Sequence, residues 1–98
     1  MTDLVSLHVD VYGRVQGVFF RAFVLKWAKH LGLTGYVRNL ANGSVEVKAE
    51  GERSKVNDLL DYVKTGPPSA TVNKVITRWA QYSGDYQSFN IRYGSTRQ

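Results

Sequence analysis

Gly13, Gly17 and Arg21 frame the segment of this sequence best suited to chemistry, and Asn39 is a second candidate. A strand-like stretch runs into the loop Arg14-Val15-Gln16-Gly17-Val18-Phe19, and a helix-like stretch begins at Phe20. The first N–H groups of a helix have no intrahelical partner, and the helix dipole there favours an anion. Gly13 and Gly17 permit backbone angles that turn consecutive N–H groups inward as a nest. Arg21 adds a planar fork of donors matched to phosphate oxygens. The loop lacks the Gly-Lys-Ser/Thr ending of a nucleotide P-loop, so ATP or GTP binding by that motif is excluded. The same residues also fit an ordinary βα turn, with glycines serving chain geometry and a solvated arginine. Local spacing leaves both readings open.

Asn39 closes the run Gly35-Tyr36-Val37-Arg38-Asn39, shortly before Asn42-Gly43. An asparagine in that setting usually bonds its own backbone in a turn. Its carboxamide can also donate to, and accept from, a water molecule. Taken alone, the residue reads as a turn former.

These residues need a scaffold, and the hydrophobic pattern supplies one. Val5, Leu7, Val9 and Val11 alternate with Ser6, His8, Asp10 and Tyr12, predicting a half-buried strand over 4–12 that Gly13 ends. Phe20, Phe23, Val24, Trp27 and Leu31 recur at helical spacing, and Gly32 offers a C-terminal cap. Gly35–Leu40 and Ser44–Glu50 predict two strands joined by a hairpin at Asn42-Gly43. Val56, Leu59, Leu60 and Val63 mark a second helix, stopped by Gly66-Pro67-Pro68. Thr71–Tyr82 reads as one long or bent strand, Phe89, Ile91 and Tyr93 mark a last one, and residues 94–98 should fray. The order βαββαβ plus a C-terminal strand predicts an α+β, ferredoxin-like sandwich, with two helices on one face of an antiparallel sheet.

With 98 residues, the chain suits a single domain over 1–98 that buries roughly two-thirds of its surface. The absence of cysteine excludes disulfides, thiolate metal sites and cysteine nucleophiles. A net charge of +5 favours anionic ligands, but no basic tail or run of like charges points to nucleic acid or a membrane. Met1-Thr2-Asp3-Leu4-Val5 does not resemble a signal peptide, and the longest apolar runs are far too short to span a bilayer. A soluble cytoplasmic monomer is the expectation. His8 and His30 stand apart from any carboxylate at ligand spacing, so no metal site is expected. Asp10 reads as a solvated face residue, Trp27 as core, and Trp79, Tyr82 and Tyr93 as strand packing.

Val11-Tyr12-Gly13-Arg14-Val15-Gln16-Gly17-Val18-Phe19-Phe20-Arg21 resembles the first signature of the acylphosphatase family. Gly35-Tyr36-Val37-Arg38-Asn39, with Gly43-Ser44-Val45 and Gly51 after it, is similar to the second. Gly66-Pro67-Pro68-Ser69-Ala70 and Phe89-Asn90-Ile91 extend the resemblance over nearly the whole chain. The resemblance implies a ferredoxin-like, metal-free and cofactor-free hydrolase that splits acyl phosphates into carboxylate and inorganic phosphate. It implies that Arg21 binds the phosphate, that Asn39 positions the attacking water, and that the backbone of Val15, Gln16, Gly17, Val18, Phe19 and Phe20 forms the phosphate loop. Acetyl phosphate, carbamoyl phosphate and glycerate bisphosphate are the substrates it suggests, and a loop gripping only phosphate suggests broad acceptance of acyl groups.

Two other classes compete. A phosphate-binding regulatory domain would share the loop without turnover, although the chain's length favours a free-standing enzyme. An RNA-recognition module shares the βαββαβ order but needs stacking aromatics on its third strand. Here that strand is Ser44-Val45-Glu46-Val47-Lys48-Ala49-Glu50, without a single ring, so no nucleic-acid partner is expected.

Overall fold

The structure is a computed structural model and describes residues 3–94. Five strands and two helices follow one another as β1 (Leu4–Arg14), α1 (Phe20–His30), β2 (Thr34–Asn39), β3 (Val45–Glu52), α2 (Arg53–Thr65), β4 (Thr71–Gln81) and β5 (Phe89–Arg92). The strands lie within two residues of the expectation from sequence pattern, and α2 begins three residues before Val56, the first residue marked for it. The expected fraying over 94–98 falls, beyond Gly94, outside the described residues. No helix among those described is long and apolar enough to cross a membrane.

The strands form one sheet in the order β4-β1-β3-β2-β5. Its core face carries Val5, Leu7, Val9 and Val11 from β1 with Val45, Val47 and Ala49 from β3. Val24 and Ala28 of α1, and Val56, Leu59, Leu60 and Val63 of α2, pack against them. Both helices thus cover one face, as helical spacing predicts. They meet through Trp27 stacked on Tyr62, with ring centroids 4.0 Å apart. Trp27 is only partly buried and belongs to this helix–helix seam rather than to the deep core.

The sheet differs from expectation in one pairing. It is mixed rather than antiparallel, because β5 pairs parallel with β2. Strands β1 and β2 run one way, β3 and β4 the other. The chain leaves β4 at the end of the sheet where β2 begins, crosses to the opposite edge, and must then climb beside β2. Glu50 holds this crossing. Its buried carboxylate accepts hydrogen bonds from Ser83 N at 3.1 Å, Ser83 Oγ at 2.8 Å and Gly84 N at 3.0 Å. Burial alone pushes the Glu50 pKa up, but these donors prevail and hold it below the ordinary carboxylate value.

Gly13 does not end β1. The strand passes through it to Arg14, with a register shift against β4 between Tyr12 and Gly13. A Cβ at Gly13 would sit 2.1 Å from the Thr71 carbonyl oxygen, so glycine is needed there for close strand approach. Its role lies in the sheet and not in the loop's nest.

The second face of the sheet also departs from expectation. Ser6, Asp10, Glu46 and Glu50 are buried there rather than solvated. Glu46 accepts from Arg38 Nε at 2.6 Å and lies 2.7 Å from His8 Nε2. Strand pairing sets His8 and Asp10 against Lys48 and Glu46, which explains how residues far apart in sequence form one polar network.

Candidate active site

The loop from β1 to α1 is anchored by its own side chains. Val15, Val18 and Phe20 are buried in the core at 1%, 6% and 1% exposure. Gln16 Nε2 donates to the carbonyl oxygens of Leu40 and Ser44, each at 2.8 Å. Ser69 Oγ, in the turn after α2, donates to the Val18 carbonyl oxygen at 2.8 Å. With Val15, Gln16 and Val18 so committed, the loop keeps its backbone N–H groups to offer. Gly17 takes the left-handed conformation at φ 72°, and Phe19 takes it at φ 63°.

Phe19 stands at the N-cap of α1 and provides no side-chain cap, and the first turn carries no acidic residue. Caps and acids are what ordinarily satisfy the free N–H groups and the positive dipole at that end. Arg21, in the same turn, adds positive charge instead. An anion seated there would satisfy all three features together.

A cavity of about 330 Å³ opens at this point, lined by Val15, Gly17, Phe19, Phe20, Arg21, Ala22, Asn39, Ile91 and Tyr93. Arg21 and Asn39, eighteen residues apart in the chain, therefore face one space. Of the six loop residues, Val15, Gly17, Phe19 and Phe20 line it, whereas Gln16 and Val18 are held by the anchors just described.

Asn39 is not the turn residue of its hairpin. Asn42 takes that part, its Oδ1 accepting from Ser44 N at 3.0 Å and from Ser44 Oγ at 2.6 Å. Asn39 stays in β2, paired with Val45, and its buried Oδ1 has no hydrogen-bond partner in the protein. A buried carboxamide oxygen without a donor is a rare and costly arrangement, and here it belongs to a residue that lines the cavity.

Tyr93 was not among the expected site residues. Rather than packing strands, it is 78% exposed, and the Arg21 guanidinium lies 5.1 Å from its ring centroid. Ala22 and Ile91, the latter read only as a strand residue, are further lining residues. Tyr93 and Ile91 reach the site only because β5 docks on β2, and no local signal foretells that. Trp79 and Tyr82 are also exposed, along the β4 edge.

His8 is not isolated, as its sequence position suggests. One ligand atom from each of His8, Asp10 and Glu46 falls within 4.8 Å of the others. Arg38 occupies the same Glu46 carboxylate, and Arg78 Nη2 lies 3.3 Å from His8 Nδ1. Two guanidinium groups beside the cluster oppose a cation, so it is an ion-pair network on the face away from the helices.

Fold and site define a ferredoxin-like α+β protein in which an uncapped helix start, an arginine and an asparagine share one small cavity. The acylphosphatase family model matches residues 7–91. The acylphosphatase of Anaeromyxobacter sp. (strain Fw109-5) is 46% identical over 93 residues, covering 95% of this chain and 100% of the relative. The solved acylphosphatase of Coxiella burnetii superposes with a TM-score of 0.86 at 43% identity, over 92% of this chain and 94% of its own. That of Bacillus subtilis gives 0.87 at 34% identity, over 91% and 99%. The chain belongs to the acylphosphatase family.

Proposed function

We propose that this acylphosphatase hydrolyses the carboxyl–phosphate bond of acyl phosphates at the Arg21–Asn39 cavity, without a metal or cofactor. The backbone N–H groups of residues 15–20 and the Arg21 guanidinium hold the phosphoryl oxygens. Asn39 Oδ1 accepts a hydrogen bond from a water and aims its oxygen at phosphorus, in line with the departing acyl oxygen. The bond from phosphorus to water oxygen forms as the bond to acyl oxygen breaks. The products are a carboxylate and inorganic phosphate, and the water's proton passes to a phosphate oxygen or to solvent.

So small a set of groups suffices because of the leaving group. A carboxylate, whose conjugate acid has a pKa of about 4, departs without protonation. Phosphoryl transfer through a loose transition state then needs chiefly alignment and charge stabilisation. The observation that carries this reading is that Asn39, with its buried and unpartnered Oδ1, lines the same cavity as Arg21 and the uncapped start of α1. The chain is read as one domain over residues 1–98, acting as a monomer on small acyl phosphates in the cytoplasm.

Hydrolysis of benzoyl phosphate in excess chelator, by the wild type beside Arg21→Ala and Asn39→Ala, tests the proposal. Metal-independent turnover lost in both folded variants supports it. No turnover by the folded wild type would reduce the chain to a phosphate-binding domain, and full activity of Asn39→Ala would remove the water-positioning role.

A further inference from the structure

Phe19 and Tyr93 are the most exposed large hydrophobic residues among those described, at 81% and 78%. Both line the one cavity that holds Arg21 and Asn39, and their exposure places them at its mouth. Exposed rings are common, but these two are unusual in position. Phe19 is the one non-glycine residue with positive φ among those described, at 63°. A bulky side chain is disfavoured in that conformation, and strain of this kind collects at functional sites. With its ring almost wholly in solvent, Phe19 returns little burial energy to the fold. Tyr93 lies over the Arg21 guanidinium, so its ring borders the phosphate-binding group directly.

The floor and the mouth of the cavity differ in chemistry. Arg21, the loop backbone and the Asn39 amide suit a phosphoryl group and a water. Ile91 and Ala22 add apolar lining to the same cavity. The cavity's volume of about 330 Å³ is that of a small-ligand pocket, for which roughly 300–1,000 Å³ is usual. With the phosphoryl group on the polar floor, the acyl group bonded to it extends into the aromatic mouth.

We infer that Phe19 and Tyr93 form an acyl-binding rim, which makes the enzyme selective for acyl phosphates bearing apolar, above all aryl, groups. This rests on the acylphosphatase reading of the site, and it replaces the broad acyl acceptance expected of a loop that grips phosphate alone. An aryl ring gains offset or edge-on contacts with the two rings, and an acetyl group is too small to do so.

The test compares kcat/KM for benzoyl phosphate and acetyl phosphate in the wild type, Phe19→Asn and Tyr93→Ser. Asparagine tolerates the left-handed conformation, so the first variant removes the ring and spares the backbone. Tyr93→Ser alters an exposed residue that the core does not need. The benzoyl-to-acetyl ratio cancels any shared loss in phosphoryl handling, and inorganic phosphate inhibition reports on the floor separately. The wild type should favour benzoyl phosphate, and each variant should lower the ratio by about three- to tenfold, mainly through a higher KM for benzoyl phosphate. A ratio unchanged in both variants overturns the rim while leaving the phosphatase reading intact. Hydrolysis of neither substrate by the folded wild type overturns that reading, and the rim with it.

Discussion

Gln16 Nε2 sits 2.8 Å from the Leu40 carbonyl oxygen and 2.8 Å from that of Ser44, so one carboxamide ties the β1–α1 loop to the hairpin that follows Asn39. Leu40 N also donates to Ser44 O at 2.9 Å, which closes the base of that hairpin. The loop proposed to hold phosphate and the strand that carries Asn39 are thereby tied together. Replacing Gln16 by Leu removes two hydrogen bonds, although Gly43 N still donates to Leu40 O and Leu40 N to Ser44 O, and should cost about 1–3 kcal/mol of stability. Its kcat should fall more than its affinity for inorganic phosphate, because the loop survives while its alignment with Asn39 loosens. Urea unfolding beside kcat, KM and phosphate inhibition reads both effects.

Arg21→Lys preserves charge but loses the planar fork, so phosphate should bind more weakly and turnover should slow. Asn39→Ala removes no group that holds phosphate. It should lower kcat by about 10²-fold while phosphate inhibition stays near the wild-type value. Steady-state kinetics with inorganic phosphate as inhibitor separates the two patterns.

Gly17 and Gly13 should fail in different ways. A Cβ at Gly17 meets no atom within 4 Å, so only its φ of 72° resists substitution. Gly17→Ala should cost about 1–2 kcal/mol and weaken phosphate binding through a distorted loop. Gly13→Ala drives a Cβ into the Thr71 carbonyl at 2.1 Å and forces β1 and β4 apart. Its cost should reach the upper end of the roughly 1–3 kcal/mol typical of overpacking, and it should appear first in stability. Thermal unfolding and phosphate titration of the two variants distinguish a conformational cost from a steric one.

Glu50 sets an acid limit on the fold. Hydrogen bonds from Ser83 and Gly84 outweigh burial and hold its folded pKa below the ordinary value of 4.5. The unfolded chain therefore binds this proton more readily than the folded one. Its contribution to stability is complete above the ordinary value and is lost as pH falls through the lowered folded value. Glu50→Gln should cost about 1–3 kcal/mol at neutral pH, because an amide oxygen cannot replace both carboxylate oxygens as acceptors. The gap between the two proteins should close as the pH drops below 4.5. Urea unfolding of both across that range tests the sign and the window.

Residue order alone carries the seven elements, the face that β1 buries, and the loop with Arg21. Alternation, helical spacing and turn chemistry act over a few neighbours, so they survive without a fold. Asn39 was visible as a residue but not as a site. Its turn reading fails because Asn42 makes the turn bonds, and the competition between those two asparagines is settled by hairpin geometry. The buried polar face was misread for a related reason. Alternation says that His8, Asp10, Glu46 and Glu50 point away from the helices, but not that they shield one another.

What only the tertiary structure decided are the contacts that span the chain. Gln16 meets partners 24 and 28 residues away, and Ser69 reaches Val18 across 51. Tyr93 arrives beside Arg21 because β5 adds in parallel to the β2 edge, with Glu50 holding the crossing. Such placements depend on strand order and on which sheet edge is left open, and both follow from how the helices and strands share one core. The residues proposed to grip phosphate could be read from local pattern. The residues that steady them, and the rings at the cavity mouth, are brought there by packing.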